Sequence, residues 1–286
     1  MIIDKLYEVV NKKGNVCVGL DTSYDYIPKW FAEKFTNIED AIFEFNKKII
    51  DATAEHTACY KVQIAYYEAY GIKGLMAYKR TLEYIRSLGC IAISDVKRGD
   101  ISKTAEMYAK AHFEGDFETD FITLNPYMGM DSIEPYLDYV KNKEKGLFVL
   151  LRTSNKGSKD FEYVNSSEGK KVYDIVGEKL QKLGEEALGK CGYSSIGAVV
   201  GCTTAEDGMK IREKYNNSFF LIPGFGAQGG GAEEAGVYLK NGNGGVVNSS
   251  RGILLGYKKY ENGEKEFAEC ARKEVLKMKQ ALEMRR

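Results

Sequence analysis

At 286 residues the chain is long enough to bury a sizeable core, and it fits either two small domains or one α/β barrel of about 250 residues. Lys plus Arg and Asp plus Glu balance at 41 each, so no overall field favours nucleic acid or an anionic membrane as a partner, and recognition has to be local. The Met1-Ile2-Ile3-Asp4-Lys5 start has no basic segment followed by an apolar one, and no apolar run of about 18 residues occurs, which argues against secretion and membrane spanning and for a cytoplasmic protein. Cys17, Cys59, Cys90, Cys191, Cys202 and Cys270 lack C-x-x-C spacing, and several sit in apolar runs, so reduced core thiols are expected rather than zinc ligands or disulfides.

Along the chain, an N-terminal segment (1–14) precedes a first β-rich run at 16–20. Ile38, Ile42, Phe45 and Ile49 mark one helical face, opened by Thr36 with Glu39 three residues on in a capping-box pattern. A second strand-like run at 58–63 is followed by a second helical face, Leu75, Tyr78, Leu82 and Ile85, stopped near Gly89. Further runs follow at 91–97, 121–125 and 147–152. The polar excursion at 155–169 reads as a mobile loop over a site. Runs at 195–201, 219–223 and 245–249 complete a set of eight, and Phe267, Ala271, Val275, Met278 and Leu282 mark a C-terminal helix over 264–286.

Strands alternating with helices imply parallel pairing, and eight such units imply a closed (β/α)8 TIM barrel rather than an open sheet. The glycine-rich stretches Gly229-Gly230-Gly231 and Gly242-Asn243-Gly244-Gly245 flank strand-like runs, so neither reads as a linker. A single barrel domain over 1–286 is expected, with 1–14 and 264–286 packing on it.

Asp95-Val96-Lys97-Arg98-Gly99-Asp100 crowds two carboxylates and an ammonium onto the end of an apolar run. Strand side chains alternate with period two, so Asp95 and Lys97 should point the same way, and Gly99 lets the backbone turn before Asp100. In isolation such a pattern is more often a solvated salt bridge. A barrel changes that, because the carboxyl ends of its strands share one mouth. There the first strand ends in Asp21, the second carries Lys61, the third Asp95 and Lys97 with Asp100 beyond, and the fifth ends in Thr153-Ser154-Asn155. Pro223-Gly224-Phe225-Gly226-Ala227-Gln228-Gly229-Gly230 and Asn248-Ser249-Ser250-Arg251-Gly252 bring backbone amides and a guanidinium to the usual phosphate position of such barrels, which implies a phosphorylated small-molecule substrate. Alternating Lys and Asp lets each group stay ionised beside opposite neighbours. Asp95 and Asp100 could hold magnesium through oxygen, but Lys61 and Lys97 argue against a cation there, so no metal is expected.

These residues resemble the orotidine 5'-phosphate decarboxylase family, whose signature Asp-x-Lys-x-x-Asp-Ile after the third strand is here Asp95, Lys97, Asp100 and Ile101. The segment 61–68, Arg152-Thr153-Ser154-Asn155 and the loop 223–229 are similar to its longer bacterial, type 2 branch, and the resemblance covers nearly the whole barrel. It implies a cofactor-independent carboxy-lyase that converts orotidine 5'-phosphate to uridine 5'-phosphate in de novo pyrimidine biosynthesis. It also implies a homodimer in which Lys61, Asp95 and Lys97 of one subunit meet Asp100 and Thr104 of the other. By the same resemblance Asp21 and Lys61 contact ribose, Ser154 the pyrimidine amide, and Gln228 and Arg251 the phosphate, with Pro223 near the base. Decarboxylation leaves charge on an sp² carbon with no enolate to take it up, so the site must stabilise it electrostatically, and Lys97 is the expected cation and proton donor. Two alternatives stand beside this reading. A magnesium-dependent sugar-phosphate lyase or synthase shares the Asp-x-Lys-x-x-Asp element but places an acidic residue where this chain has Lys61. A catalytically silent barrel would need only the phosphate loops.

Overall fold

The structure is a computed structural model and describes residues 1–202, 205–226 and 230–284. Among them, β1 (Val16–Gly19), β2 (Cys59–Gln63), β3 (Ile91–Arg98), β4 (Phe121–Leu124), β5 (Gly146–Arg152), β6 (Ser194–Val200), β7 (Ser218–Ile222) and β8 (Gly245–Ser249) pair in parallel, in chain order, and β8 returns to β1 to close the barrel. All eight expected runs are strands, and none is displaced by more than one residue at either end. The reason is burial on both faces, which makes each strand a nearly continuous apolar run.

Alternate residues turn inward. Cys17, Cys59, Ile93, Phe121, Phe148, Phe219 and Val246 form one interior cluster, and Ile3, Leu6 and Val10 of helix Ile2–Lys13 join it, so the N-terminal helix plugs one end of the barrel. The intervening residues, such as Val18, Tyr60, Val62 and Ile122, pack outward against the helices. Helix Phe267–Glu283 buries Phe267, Ala271, Val275, Met278 and Leu282, and its Phe267 ring stacks on Phe45 of helix Ile38–Thr53 at 4.9 Å. It begins at 267 rather than 264 because Asn262 turns through a left-handed conformation (φ 56°) into a 3-10 turn at Gly263–Glu266. Among the described residues no helix is long and apolar enough to cross a membrane, and all six cysteines are free, four of them buried.

Two local expectations change. The cap of helix Ile38–Thr53 is Asn37, whose side chain accepts the Asp40 N–H at 2.9 Å, not Thr36 with Glu39. Asn37 is the extended residue immediately before the helix, where a short amide oxygen reaches the third helical N–H. Residues 155–169, expected as a mobile loop, form a 3-10 turn at Lys156–Asp160 and one arm of a hairpin. Val172 N–H bonds to the Val164 carbonyl and Tyr173 N–H to that of Glu162, both at 3.0 Å. The Glu162 carboxylate takes the Thr153 N–H at 2.9 Å, which ties this hairpin to the end of β5.

The interior is packed tightly enough for one methyl to matter. A Cβ on Gly197 would lie 2.4 Å from the Phe219 carbonyl oxygen and 2.9 Å from the Phe148 ring. Gly197→Ala is therefore expected to destabilise the barrel by about 1–3 kcal/mol, read as a lower urea midpoint with unchanged slope. An unchanged midpoint would contradict this packing.

Candidate active site

Strand register builds the site. Lys61 lies level with Gly19 on β1 and Ile93 on β3, and Gln63 lies level with Asp95. Lys61 and Gln63 share the inward face two residues apart, as do Ile93 and Asp95, so the apolar interior gives way to a polar layer toward the carboxyl ends of the strands. Lys61 is only 4% exposed and Asp95 only 6%, so both charges must be compensated inside the protein.

They are. The Lys61 ammonium donates to Asp21 Oδ1 at 3.1 Å and to Asp95 Oδ2 at 3.0 Å. Asp95 Oδ2 also accepts from Gln63 Nε2 at 2.8 Å, while Oδ1 accepts from Thr123 Oγ1 at 2.9 Å and from the Lys97 ammonium at 2.6 Å. Four donors thus hold one carboxylate. Burial alone would raise the Asp95 pKa, but the Lys61 and Lys97 charges overturn that and hold it well below the usual carboxylate range. Burial likewise works against the Lys61 ammonium, yet Asp21 and Asp95 raise its pKa. Lys97 differs from Lys61 in exposure: its side chain is 46% accessible, so the array has one end open to the mouth.

Lys97 does not reach this position by simple alternation along a strand. Ser94 pairs with Ile122 and Arg98 with Leu124, so four steps along β3 are matched by two along β4. Within that bulge Lys97 takes a left-handed conformation, φ 43°. The displaced N–H groups of Val96 and Lys97 both donate to Thr123 Oγ1, at 3.0 and 2.9 Å. Gln63 and Thr123 are the site residues the sequence reading missed. Gln63 had a signal in its period-two spacing from Lys61. Thr123 had one as the single polar residue of the buried strand Phe121-Ile122-Thr123-Leu124.

The remaining expected residues are distributed around this array. Asp21 joins it through Lys61. Asp100 accepts the Ile101 N–H at 2.8 Å, and Thr104 is exposed on helix Ser102–Phe113; among the described residues neither bonds to the array, and Asp100 forms no ion pair. Ser154 follows β5, half-buried, so close to Gly201 that a Cβ there would lie 2.6 Å from its own. Pro223 follows β7, and its carbonyl accepts the Cys202 N–H at 3.2 Å. Gly224 and Gly226 then turn the chain at φ 103° and 76°. Gln228 lies outside the described residues. Arg251 opens the short helix Arg251–Leu254 after β8, is exposed, and forms no ion pair among the described residues. It belongs to the same rim: Ser249 pairs with Val18 of β1, and the charges of both Arg251 and Asp21 act on Tyr26.

Behind the bulge, the Arg98 guanidinium lies 4.9 Å from the centre of the Tyr108 ring and 3.5 Å from the Glu68 carboxylate, and its Nε donates to His112 Nε2 at 3.4 Å. Burial, then the Arg98 charge, pushes the His112 imidazole down to about 4. A base held neutral in the fold takes up a proton on unfolding near its ordinary pKa of about 6.5. Its contribution is therefore fully present above about pH 6.5 and is lost as pH falls toward 4, by roughly 3 kcal/mol in all. His112→Gln should flatten the fall in urea midpoint between pH 7 and pH 4.5, and parallel profiles for variant and parent would refute the assignment.

The protein is a (β/α)8 barrel whose carboxyl-end mouth carries an alternating lysine–carboxylate array, the architecture of a barrel enzyme. Residues 14–265 match the orotidine 5'-phosphate decarboxylase / HUMPS family, and the chain belongs to that family. It is 77% identical over 282 residues to the orotidine 5'-phosphate decarboxylase of Clostridium novyi (strain NT), covering 99% of this chain and 98% of that protein. To the orotidine 5'-phosphate decarboxylase of Clostridium acetobutylicum it is 67% identical over 279 residues, covering 98% of each. Among solved structures it is similar to the OMP decarboxylase of Leishmania donovani, with a TM-score of 0.76 at 28% identity over 98% of this chain and 99% of that one.

Proposed function

We infer that this protein removes the 6-carboxylate of orotidine 5'-phosphate to give uridine 5'-phosphate, a cytoplasmic step of de novo pyrimidine biosynthesis that uses no cofactor. The observation that carries this reading is the Lys61–Asp95–Lys97 array, two cations fixed around one buried carboxylate with Lys97 open to the mouth. With substrate bound, its carboxylate lies beside Asp95, where like charges about 4 Å apart repel by about 4 kcal/mol at an effective dielectric near 20. Only repulsion relieved in the transition state accelerates the step. As the bond to carbon dioxide breaks, the electron pair stays on C6. The Lys97 ammonium stabilises it and transfers its proton there, then recovers one from solvent.

In this reading Asp21 and Lys61 hold the ribose, Ser154 the pyrimidine amide, and Gln228 and Arg251 the phosphate, with Pro223 against the base. Arg251 has a free guanidinium for that task among the described residues, and forks onto phosphate oxygens. Residues 1–286 act as one barrel domain, and the working unit is a homodimer in which Asp100 and Thr104 complete the partner's site. Both are without contacts to their own array, and apolar side chains are exposed beside them among charged ones: Ile101, and Met107 one turn along the same helix from Thr104, next to Lys103 and Glu106. Such a cluster calls for cover by another surface. The magnesium-dependent alternative fits less well, because both oxygens of Asp95 already accept from ammonium groups and Lys61 occupies the place of an acid.

The test is to mix the protein with orotidine 5'-phosphate and follow the loss of pyrimidine absorbance, before and after exhaustive chelation. Turnover should survive chelation, whereas its disappearance would show a metal requirement that this reading excludes. Lys97→Ala should lower turnover by about 10³-fold or more while uridine 5'-phosphate still binds, since general acid chemistry contributes about 10²–10⁴-fold and the cation adds electrostatic stabilisation. Near-normal activity would remove Lys97 from the mechanism. Mixing inactive Lys97→Ala and Asp100→Ala subunits should restore activity through one intact site per mixed dimer, whereas absence of recovery would count against a shared site.

A further inference from the structure

We propose that Thr123 is a positioning residue for this reaction: its hydroxyl holds the β3 bulge in the form that aims the Lys97 ammonium and locks that aim to the orientation of Asp95. The inference rests on the decarboxylase reading of the site, but its geometric part stands on the fold alone.

A hydroxyl offers one donor and two acceptor lone pairs, and here all three are in use. The Val96 and Lys97 N–H groups occupy the two acceptor positions, so the single proton has to go to Asp95 Oδ1. The direction of each bond is fixed by this count. Thr123 is 1% exposed, so water does not compete for these bonds. Between the pairs Ser94–Ile122 and Arg98–Leu124 the bulge leaves β3 with amides that regular pairing would have satisfied. The Thr123 side chain takes the place of those lost backbone acceptors. It does so at the residue whose left-handed backbone, unfavourable for any side chain but glycine, determines where Lys97 points.

The same oxygen atom therefore fixes the backbone beneath the cation and donates to the carboxylate that pairs with it. Removing the hydroxyl would strand two amides and leave Asp95 Oδ1 with the Lys97 ammonium as its one remaining donor, letting Lys97 relax to an ordinary backbone conformation. Substrate binding through the phosphate and ribose contacts does not depend on that bulge. A displacement of about 1 Å in a reacting group can cost about 10²-fold in rate, so the loss should appear in kcat. Serine keeps the hydroxyl and valine keeps the branched shape without it.

The experiment compares parent, Thr123→Val, Thr123→Ser and Thr123→Ala as full-length proteins in three readouts: kcat and KM for orotidine 5'-phosphate, the Kd for uridine 5'-phosphate, and amide hydrogen exchange of the peptide spanning Val96 and Lys97. Thr123→Val should lose about 10²-fold in kcat, with KM and Kd within about threefold of the parent. Its 96–97 amides should exchange about tenfold faster, and Thr123→Ser should restore kcat and protection to within about threefold. If Thr123→Val does not fold, Thr123→Ala is judged by the same criteria. The proposal is overturned if kcat of the valine variant stays within threefold of the parent, if the loss lies in KM, if serine fails to rescue, or if both valine and alanine variants are unfolded, which would make Thr123 merely structural. A parent without turnover would instead overturn the decarboxylase reading, and the exchange measurement alone would then decide whether Thr123 holds the bulge.

Discussion

The buried carboxylate of Asp95 is the constraint on which the upper half of this barrel depends. An ion of that size inside a protein costs several kcal/mol unless its neighbours replace water, and each of its oxygens here has two donors. The four donors come from three strands, β2, β3 and β4, so the arrangement exists only when those strands are in register. Pairing of these three strands therefore assembles the charge array. The same coupling explains why Lys61 remains an ammonium at 4% exposure: its partners are Asp95 on β3 and Asp21 just past the end of β1. A preorganised field of this kind need not reorient when charge develops on a substrate, which is how enzymes gain most from electrostatics.

That field is aimed by a departure from regular structure. Had β3 continued as a flat strand, Lys97 would have stayed in the plane set by its pairing with β4. The chain instead inserts a bulge and passes through left-handed conformations at both Lys97 (φ 43°) and Ser102 (φ 50°), with Gly99 between them. Each such residue costs on the order of 1 kcal/mol or more, and it persists only where its surroundings over-determine it. Thr123 supplies one side of that support. On the other side Arg98 returns the strand to β4, its carbonyl accepting the Asn125 N–H at 2.8 Å while its guanidinium lies over Tyr108 of the following helix. Thr123 and Arg98 thus hold the backbone on either side of Lys97, and Asp100 lies just beyond them.

The legibility of this protein follows the same division. The eight strands could be read because parallel strands buried on both faces are apolar throughout, and the three helical stripes because 3.6-residue periodicity survives without any knowledge of neighbours. Asp21, Lys61 and Asp95 could be read as a cluster because closure of a barrel brings strand ends together regardless of sequence distance. The route taken by Lys97 could not, since period-two alternation presumes an unbroken ladder and nothing in Ser94-Asp95-Val96 announces a bulge. The hairpin built on residues 162–173 was hidden for a related reason: backbone bonds such as Tyr173 to Glu162 leave no mark on composition, and a polar stretch reads as a loop. Asn37 and Thr36 are both residue types that cap well, and one residue of register decides between them.

The two lysines divide the work of the site by exposure rather than by chemistry. Lys61 lies between two carboxylates, and losing its proton would leave Asp21 without an ion-pair partner among the described residues and buried Asp95 with Lys97 as its remaining cation, so its place in the array is that of a fixed charge. Lys97 has a single carboxylate partner among the described residues, and nearly half of its side chain is accessible, so its ammonium can exchange protons with solvent. Its aim matters more for the same reason: the walls of the barrel hold Lys61 in place, whereas the backbone beneath Lys97 is left to set its direction. An exposed donor with a constrained stem combines access with orientation, and the bulge between β3 and β4 is the element of the fold that provides both.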